Sequence, residues 1–259
     1  MRTLRLTIAY EGTRYAGWQI QARPIRHSIF GIRHSTRPTV QGTLERVLRR
    51  IVQEPVRVIG SGRTDAGVHA LAQVAHVKTQ SAISCERLRR SLNQLLPSDI
   101  AVTGVEDVEP TFHARFAARS KHYRYRIATG AVVSPFARRY VHHVPVPLKT
   151  ALMRREAAGL RGRHQFGSFA RQEGGGKPTD RTITHVALRR RNDELHLDLE
   201  GNGFLHTMVR SIAGTLIDIG RGRLPPGTIQ RLLHHPAREH VGTTAPARGL
   251  TLVGVSYEE

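Results

Sequence analysis

The stretch Val56-Arg57-Val58-Ile59-Gly60-Ser61-Gly62-Arg63-Thr64-Asp65-Ala66-Gly67-Val68-His69-Ala70 is the pivot of this chain. Val56 to Ile59 reads as a short apolar strand that runs into a glycine-rich turn. Glycine has no Cβ, so such a turn can be tight and can bring the backbone close to a ligand. Past the turn, Val74 to Val77 gives a second strand. On the N-terminal side, Val40, Leu44, Val47, Leu48 and Ile51 recur at helical spacing, so one face of a helix is apolar there. Before that helix, Leu4, Leu6, Ile8 and Tyr10 alternate as a half-buried strand ending at Glu11-Gly12. On the C-terminal side, Ser84 can cap a helix that turns Leu88, Leu92 and Leu95 inward, and Pro97 stops it. Ile100 to Val105 closes the set as a strand.

The order is therefore β-α-β-β-α-β, the split βαβ or ferredoxin-like arrangement. The remaining residues offer similar parts with longer connections. Tyr123, Tyr125 and Ile127 alternate as a strand, and Leu148 to Leu160 suggests a helix. Strands are expected near Phe166 to Phe169, Ile183 to Leu188 and Leu195 to Leu199. A strongly apolar helix spans about Phe204 to Ile219 and takes Gly220 as its terminal glycine. Another begins after Pro225-Pro226, and Leu250 to Val255 is a final strand. The expectation is an α+β chain of two ferredoxin-like, RRM-like lobes with antiparallel sheets, 1–108 and 109–259, joined near Val108 to Pro110. Residues 21 to 38 read as a long basic loop, and Gly174-Gly175-Gly176-Lys177-Pro178 as a second flexible basic loop.

Composition limits the function classes. Forty Lys and Arg face twenty Asp and Glu, a formal charge of +20. That imbalance is costly in self-repulsion unless a polyanion is the partner, and nucleic acid is the first candidate. A membrane surface fits less well, because the basic residues are scattered and not gathered on one amphipathic helix. Cys85 is the only cysteine, which excludes an internal disulfide and a Cys-rich metal cluster. No window approaches the roughly 18 apolar residues of a membrane span, and Met1-Arg2-Thr3-Leu4-Arg5 is not the start of a signal peptide. These features imply a cytoplasmic protein.

Asp65 is the chemical focus. It stands beside Arg63 within the glycine-rich turn, in a chain with few acids to spare. A carboxylate next to a guanidinium is ionised near neutral pH and can act as base or nucleophile. It could equally cap the turn through its own backbone amides. Other motifs fail: the third glycine after Gly60-Ser61-Gly62 comes too late for a dinucleotide loop, and Pro178 after Gly176-Lys177 excludes a P-loop. His142-His143 and His234-His235 lack partners at zinc spacing, so no metal is expected.

The run Gly62-Arg63-Thr64-Asp65-Ala66-Gly67-Val68-His69 resembles the signature of the TruA family, the tRNA pseudouridine(38-40) synthases. Further similarities follow in the family's order: Tyr10-Glu11-Gly12, Tyr15-Ala16-Gly17-Trp18-Gln19, Val40-Gln41-Gly42, Phe112-His113-Ala114-Arg115-Phe116, Tyr123-Arg124-Tyr125, Asn202-Gly203-Phe204-Leu205-His206 with Met208-Val209-Arg210, and Gly249-Leu250-Thr251-Leu252. The resemblance implies the pseudouridine synthase fold with a central RNA-binding cleft. It also implies isomerisation of uridine to pseudouridine in the anticodon stem-loop of tRNA, without a cofactor, by a homodimer. Asp65 would then be the catalytic carboxylate. Arg63 would pair with it and help displace the base, Tyr123 would pack on the flipped uracil, and Arg210 would form a salt bridge with Asp65. Phe112, His113, Ala114, Arg115 and Phe116 would touch the tRNA, as would the loop carrying Lys177 and Arg181. Between Gln19 and Val40 the chain is longer than the family's compact loop. The rival reading is a non-catalytic RNA-binding protein on ferredoxin-like lobes, with Tyr123 or Tyr125 as stacking platforms. That rival leaves unexplained a carboxylate set inside a basic, glycine-rich loop.

Overall fold

The computed structural model describes residues 1–20, 37–171 and 178–258. It divides into two compact units, Met1–Ala117 and Ala118–Glu259. The loop expected over residues 21 to 38 lies almost wholly outside the described residues, and Gly174 to Lys177 lie outside them entirely. Among the described residues, no helix is long and apolar enough to cross a membrane.

In the first unit β1 (Arg2–Tyr10), α1 (Val40–Val52), β2 (Ile59–Gly60), β3 (His69–Thr79), α2 (Cys85–Leu95) and β4 (Ile100–Val108) follow in the expected order. The antiparallel sheet is arranged β4-β1-β3, with β2 on the far side of β3. Alternation on β1 buries Leu4, Leu6, Ile8 and Tyr10, which oppose Val77, Ala75, Val102 and Ile100 among others. Leu44 and Leu48 of α1 and Leu88 and Leu92 of α2 are buried with them. Removing such side chains from water stabilises the fold by about 1.5–3 kcal/mol each. Thr39 Oγ1 caps α1 by accepting Gly42 N–H at 3.1 Å. Ser84 Oγ does the same for α2 from Arg87 N–H at 3.4 Å.

The strand expected over Val56 to Ile59 is cut back to Ile59–Gly60. The cause lies in α1. Glu45 Oε1 accepts the Val58 N–H at 3.0 Å, and Gln41 Nε2 donates to the Val58 carbonyl at 3.0 Å. Both backbone groups are thus taken by buried helix side chains and are not offered to a neighbouring strand.

The second unit repeats the order with additions. It contains β5 (Ser120–Ala128), β6 (His142–His143), α3 (Thr150–Ala158), β7 (Gly162–Gln165), β8 (Asp180–Arg191), β9 (Glu194–Gly201), α4 (Met208–Gly220), α5 (Thr228–His234) and β10 (Leu250–Ser256). Its strands lie β10-β5-β9-β8-β7, with β6 parallel to β5. With β7 and β6 set aside, this is the same spatial order as the first sheet, so the two units share one ferredoxin-like topology.

Two local expectations are corrected. Phe166 to Phe169 is not a strand: β7 ends at Gln165, and Gly167–Phe169 is a 3-10 turn. Phe166 and Phe169 are both fully buried, and their spacing of three matches the eclipsed side chains of a 3-10 turn, not the alternation of a strand. Gly220 does end its helix, as the last residue of α4, but not as a left-handed capping glycine: a Cβ there would lie 2.5 Å from Met153 Sδ of α3. Its role is close helix packing, while Gly222, at φ +74°, takes the left-handed position.

Candidate active site

The loop joining β2 to β3 is stitched at its base. Ser61 N–H donates to the Val74 carbonyl at 2.7 Å, and its hydroxyl donates to Gln73 Oε1 at 2.7 Å. Gln73 Nε2 returns a bond to the Gly62 carbonyl at 3.1 Å. At the centre, the buried Thr64 hydroxyl lies 2.8 Å from the Tyr10 hydroxyl. Burial pushes the Tyr10 phenol well above its ordinary pKa, so it remains a neutral hydrogen-bonding group. Val68 N–H closes a turn on the Asp65 carbonyl at 3.1 Å, and Gly67 supplies the positive φ of +80° that this turn needs. Asp65 is half-buried, between the buried Thr64 and the exposed Ala66.

A second loop, residues 11–20, grips the first. Trp18 N–H donates to the Thr64 carbonyl at 3.1 Å. Gly17 has φ +93°, and a Cβ there would lie 2.5 Å from the Thr64 carbonyl oxygen and 3.1 Å from the Asp65 carbonyl carbon. Gly12 packs so closely that its Cβ position is occupied by the Val68 carbonyl, and its N–H donates to His69 Nδ1 at 3.0 Å. The fully buried Trp18 ring lies under Gly60. Arg63 is exposed, and its Nε donates to Gln19 Oε1 at 2.9 Å. The carboxylate-bearing turn is therefore clamped along both sides, whereas the exposed Arg63 is tied to the second loop through its Nε.

The neck of that second loop is itself closed. Ala16 N–H donates to the Pro38 carbonyl, Val40 N–H to the Gly17 carbonyl and Gln41 N–H to the Trp18 carbonyl, at 2.9, 3.2 and 3.0 Å. Gln41 Oε1 accepts Ile20 N–H at 3.0 Å.

Phe112 to Phe116 belong to the first unit. Ala114 is fully buried. His113 Nδ1 accepts the Arg115 and Phe116 N–H groups at 3.2 and 3.3 Å, and its ring stacks on Phe116 at 4.2 Å. Arg115 reaches over the same Phe116 ring, which is 79% exposed. An exposed aromatic flanked by a guanidinium suits an RNA base or backbone.

In the second unit, Tyr123 is a buried residue of β5, opposite Leu199 of β9 and Leu252 of β10. The Phe204 ring meets it edge-on at 5.0 Å. His122 and Arg124, on either side of Tyr123, both bind Asp198 Oδ1 of β9, at 2.7 and 2.8 Å. Burial alone would raise the Asp198 carboxyl, but those two hydrogen bonds and the adjacent positive charges hold it below its ordinary value. Arg181 is the second residue of β8, and its stem lies against Gly203, next to Phe204. Arg210 sits in the first turn of α4, where its Nε donates to the Ala245 carbonyl at 2.8 Å. The segment bearing Ala245 is fixed to the same helix: Thr243 N–H bonds Asp218 Oδ2 at 2.9 Å, and a Cβ on Gly214 would collide with the Thr243 carbonyl.

Within its own unit, then, each expected group has a built surrounding: Asp65, Arg63 and Phe112 to Phe116 in the first, and Tyr123, Arg181 and Arg210 in the second. Lys177 lies outside the described residues. Sequence reasoning assigned no role to Tyr10, Gly17, Trp18, Gln19, Gln73 or Phe204. The signals present were weak: Trp18 is the sole tryptophan, and glycine recurs at 12 and 17.

Residues 7–117 and 157–258 match the family described as tRNA pseudouridine synthase, leaving 118–156 between the matched stretches. The chain is similar to proteins named tRNA pseudouridine synthase A. That of Moorella thermoacetica is 41% identical over 257 residues, covering 99% of this chain and 100% of the relative. That of Pelobacter propionicus is 42% identical, with the same coverage. That of Halalkalibacterium halodurans is 42% identical over 251 residues, 96% of this chain and 90% of the relative.

Proposed function

This chain belongs to the tRNA pseudouridine synthase family, and on that premise we propose that it isomerises uridine to pseudouridine in the anticodon stem-loop of tRNA, at positions 38–40, with Asp65 as its catalytic carboxylate. One observation carries the assignment of Asp65. Gly17, Trp18 and Tyr10 hold Thr64 and the backbone around Asp65 from one side, and Ser61 and Gln73 hold the base of the loop from the other. Such restraint is what a reacting group needs, because its geometry is fixed before substrate arrives.

The reaction breaks the N1–C1′ bond, forms C5–C1′, and moves one proton from C5 to N1, so it is balanced without any external reagent. Asp65 acts at the ribose, either by attack on C1′ or by removing the C2′ proton to give a glycal. The target nucleotide leaves the stack to reach it. Arg63 opens the stack, Tyr123 packs on the displaced uracil, and Arg210 pairs with Asp65. Phe112, His113, Arg115 and Phe116, with Lys177 and Arg181, hold the RNA, while the buried Ala114 seats their segment. The protein acts in the cytoplasm as a homodimer, with one tRNA touching both copies and no cofactor.

The test is conversion of an unmodified tRNA transcript by purified protein with no additives, scored for pseudouridine. Asp65→Asn is expected to abolish conversion while tRNA affinity stays the same or rises slightly, since a negative charge near phosphate is removed. Appreciable conversion by Asp65→Asn would remove the assignment. Tight tRNA binding by a wild-type protein that converts nothing would favour the non-catalytic reading.

A further inference from the structure

Away from these groups, the second unit leaves two large apolar side chains in solvent four positions apart: Val132 is 86% exposed and Phe136 is 90% exposed. Isolated exposed apolar residues are ordinary, but this pair sits on a constructed turn. Ser134 builds that turn. Its hydroxyl accepts Phe136 N–H at 3.3 Å, and its carbonyl accepts Ala137 and Arg138 N–H at 3.0 Å each. Tyr140 N–H closes on the Ala137 carbonyl at 2.8 Å.

The segment is also fastened to the β8–β9 hairpin. Thr129 N–H donates to the Asp193 carbonyl at 2.8 Å, and Arg190 Nη1 reaches Thr129 Oγ1 at 3.5 Å. His143 lies 2.8 Å from the Gly130 carbonyl through Nε2. The hairpin tip brings Arg189, Arg190 and Arg191 to this end of the sheet, and the turn adds Arg138 and Arg139; all five are exposed. The neighbouring acid Glu194 is engaged by Arg126 and His196, and Asp193 is exposed at the hairpin tip.

We propose that this end of the second unit is an auxiliary RNA-contact surface, in which Phe136 stacks on an unpaired base and Arg138, Arg139, Arg190 and Arg191 take backbone phosphates of the same RNA outside the modified nucleotide. It rests on the reading of the chain as a tRNA enzyme only for the choice of RNA. Bases stack on aromatic rings whatever their sequence, and guanidinium groups bind phosphate in a planar, two-pronged way. The surface lies at the far end of β5 from Ser120. Tyr123 and Ala128 are five residues apart, about 16 Å along an extended strand, so RNA touching both must extend well beyond one nucleotide. A second copy fits this patch less well. A two-fold contact would set the arginine cluster against itself. Phe136, Arg138 and Arg139 fall within residues 118–156, between the stretches that match the family, whereas Arg190 and Arg191 lie inside the second stretch.

The experiment compares Phe136→Ala, Phe136→Leu, Arg138→Ala/Arg139→Ala and Arg190→Ala/Arg191→Ala with the wild type. For each, the affinity for a full-length unmodified tRNA transcript is titrated across salt, the sedimenting species is recorded, and conversion is measured at saturating tRNA. Phe136→Ala and Phe136→Leu should both weaken binding by roughly ten-fold, because neither keeps the ring. Each arginine pair should flatten the log–log salt slope by about 1.5. Conversion at saturation and the sedimenting species should stay as in the wild type. Unchanged affinity and slope would overturn the proposal, as would Phe136→Leu binding like the wild type. A shift in the sedimenting species would also overturn it, and would assign the patch to contact between copies. If binding depends on the patch but the wild type makes no pseudouridine, the proposed activity fails and the RNA surface stands.

Discussion

Ala114 donates its backbone N–H to Nδ1 of His76 across 3.1 Å, so a buried imidazole on β3 seats the segment that ends in the exposed Phe116. That bond requires Nδ1 to be unprotonated. Burial, then the charges of His113 and Lys78, push His76 down to about 4. His142 on β6 is also pushed down to about 4, by burial and then by Arg248, Arg221 and His143. Once unfolded, both return to the ordinary value near 6.5. The unfolded chain therefore binds more protons than the folded one between about pH 6.5 and 4. Stability rises with pH across that window and is lost as pH falls through it. Each group should contribute on the order of 2 kcal/mol, less whatever solvent screens. Asp198 and Glu194, both held below their ordinary values, add losses that begin at the acid end of this window and continue below it. Urea unfolding from pH 7 to pH 4 should show the slope, and His76→Gln should remove part of it. A variant with an unaltered slope would clear His76 of this role.

Gly17→Ala should damage catalysis out of proportion to its size. The φ of +93° is strained for alanine, and its methyl would strike the Thr64 carbonyl beside Asp65. A displacement of the carboxylate near 1 Å costs about 10²-fold in rate. Gly254→Ala is the control, since nothing lies within 4 Å of its Cβ position. Single-turnover conversion with enzyme in excess over tRNA checks this; equal rates for the two variants would contradict the clamp.

Tyr123→Phe and Tyr123→Ala separate stacking from proton movement. Phe keeps the ring and its edge contact with Phe204, so stacking alone predicts near-normal conversion for Phe and a large loss for Ala. A hydroxyl that carries the C5 proton predicts that both lose about 10²–10⁴-fold. We expect the second outcome, because the chemistry must move that proton.

Gly220→Ala should destabilise the second unit by about 1–3 kcal/mol through crowding against Met153. Adding Met153→Ala opens the space, so the two changes should cost less together than their sum. Thermal unfolding of the double-mutant cycle measures this coupling, and strict additivity would argue against contact packing as the reason for glycine.

Much of the fold was legible because apolar spacing dictates it. β1, α1, α2, α5 and β10 lie where alternation, helical faces and caps put them. Two of the misses have a common cause, namely partners distant in sequence. Val58 loses its strand bonds to Gln41 and Glu45, and Gly220 is chosen by Met153, which no local pattern reveals. The same holds at the site. The glycine-rich turn around Asp65 announces itself locally. Its clamp comes from Tyr10, Gly12, Gly17 and Trp18, about fifty residues earlier, and becomes visible only when β1 and β3 pair.

The closed neck formed by Ala16–Pro38, Gly17–Val40, Trp18–Gln41 and Ile20–Gln41 separates two kinds of inheritance. What lies inside the neck, toward Asp65, is held by backbone contacts too close to tolerate a methyl group. The neck fixes where the chain beyond it leaves at Ile20 and returns at Pro38, and the closure entropy of a flexible connection in general grows by only about 0.6 kcal/mol per doubling of length. Insertions and deletions can therefore accumulate on one side of four hydrogen bonds while the reacting turn on the other side stays fixed.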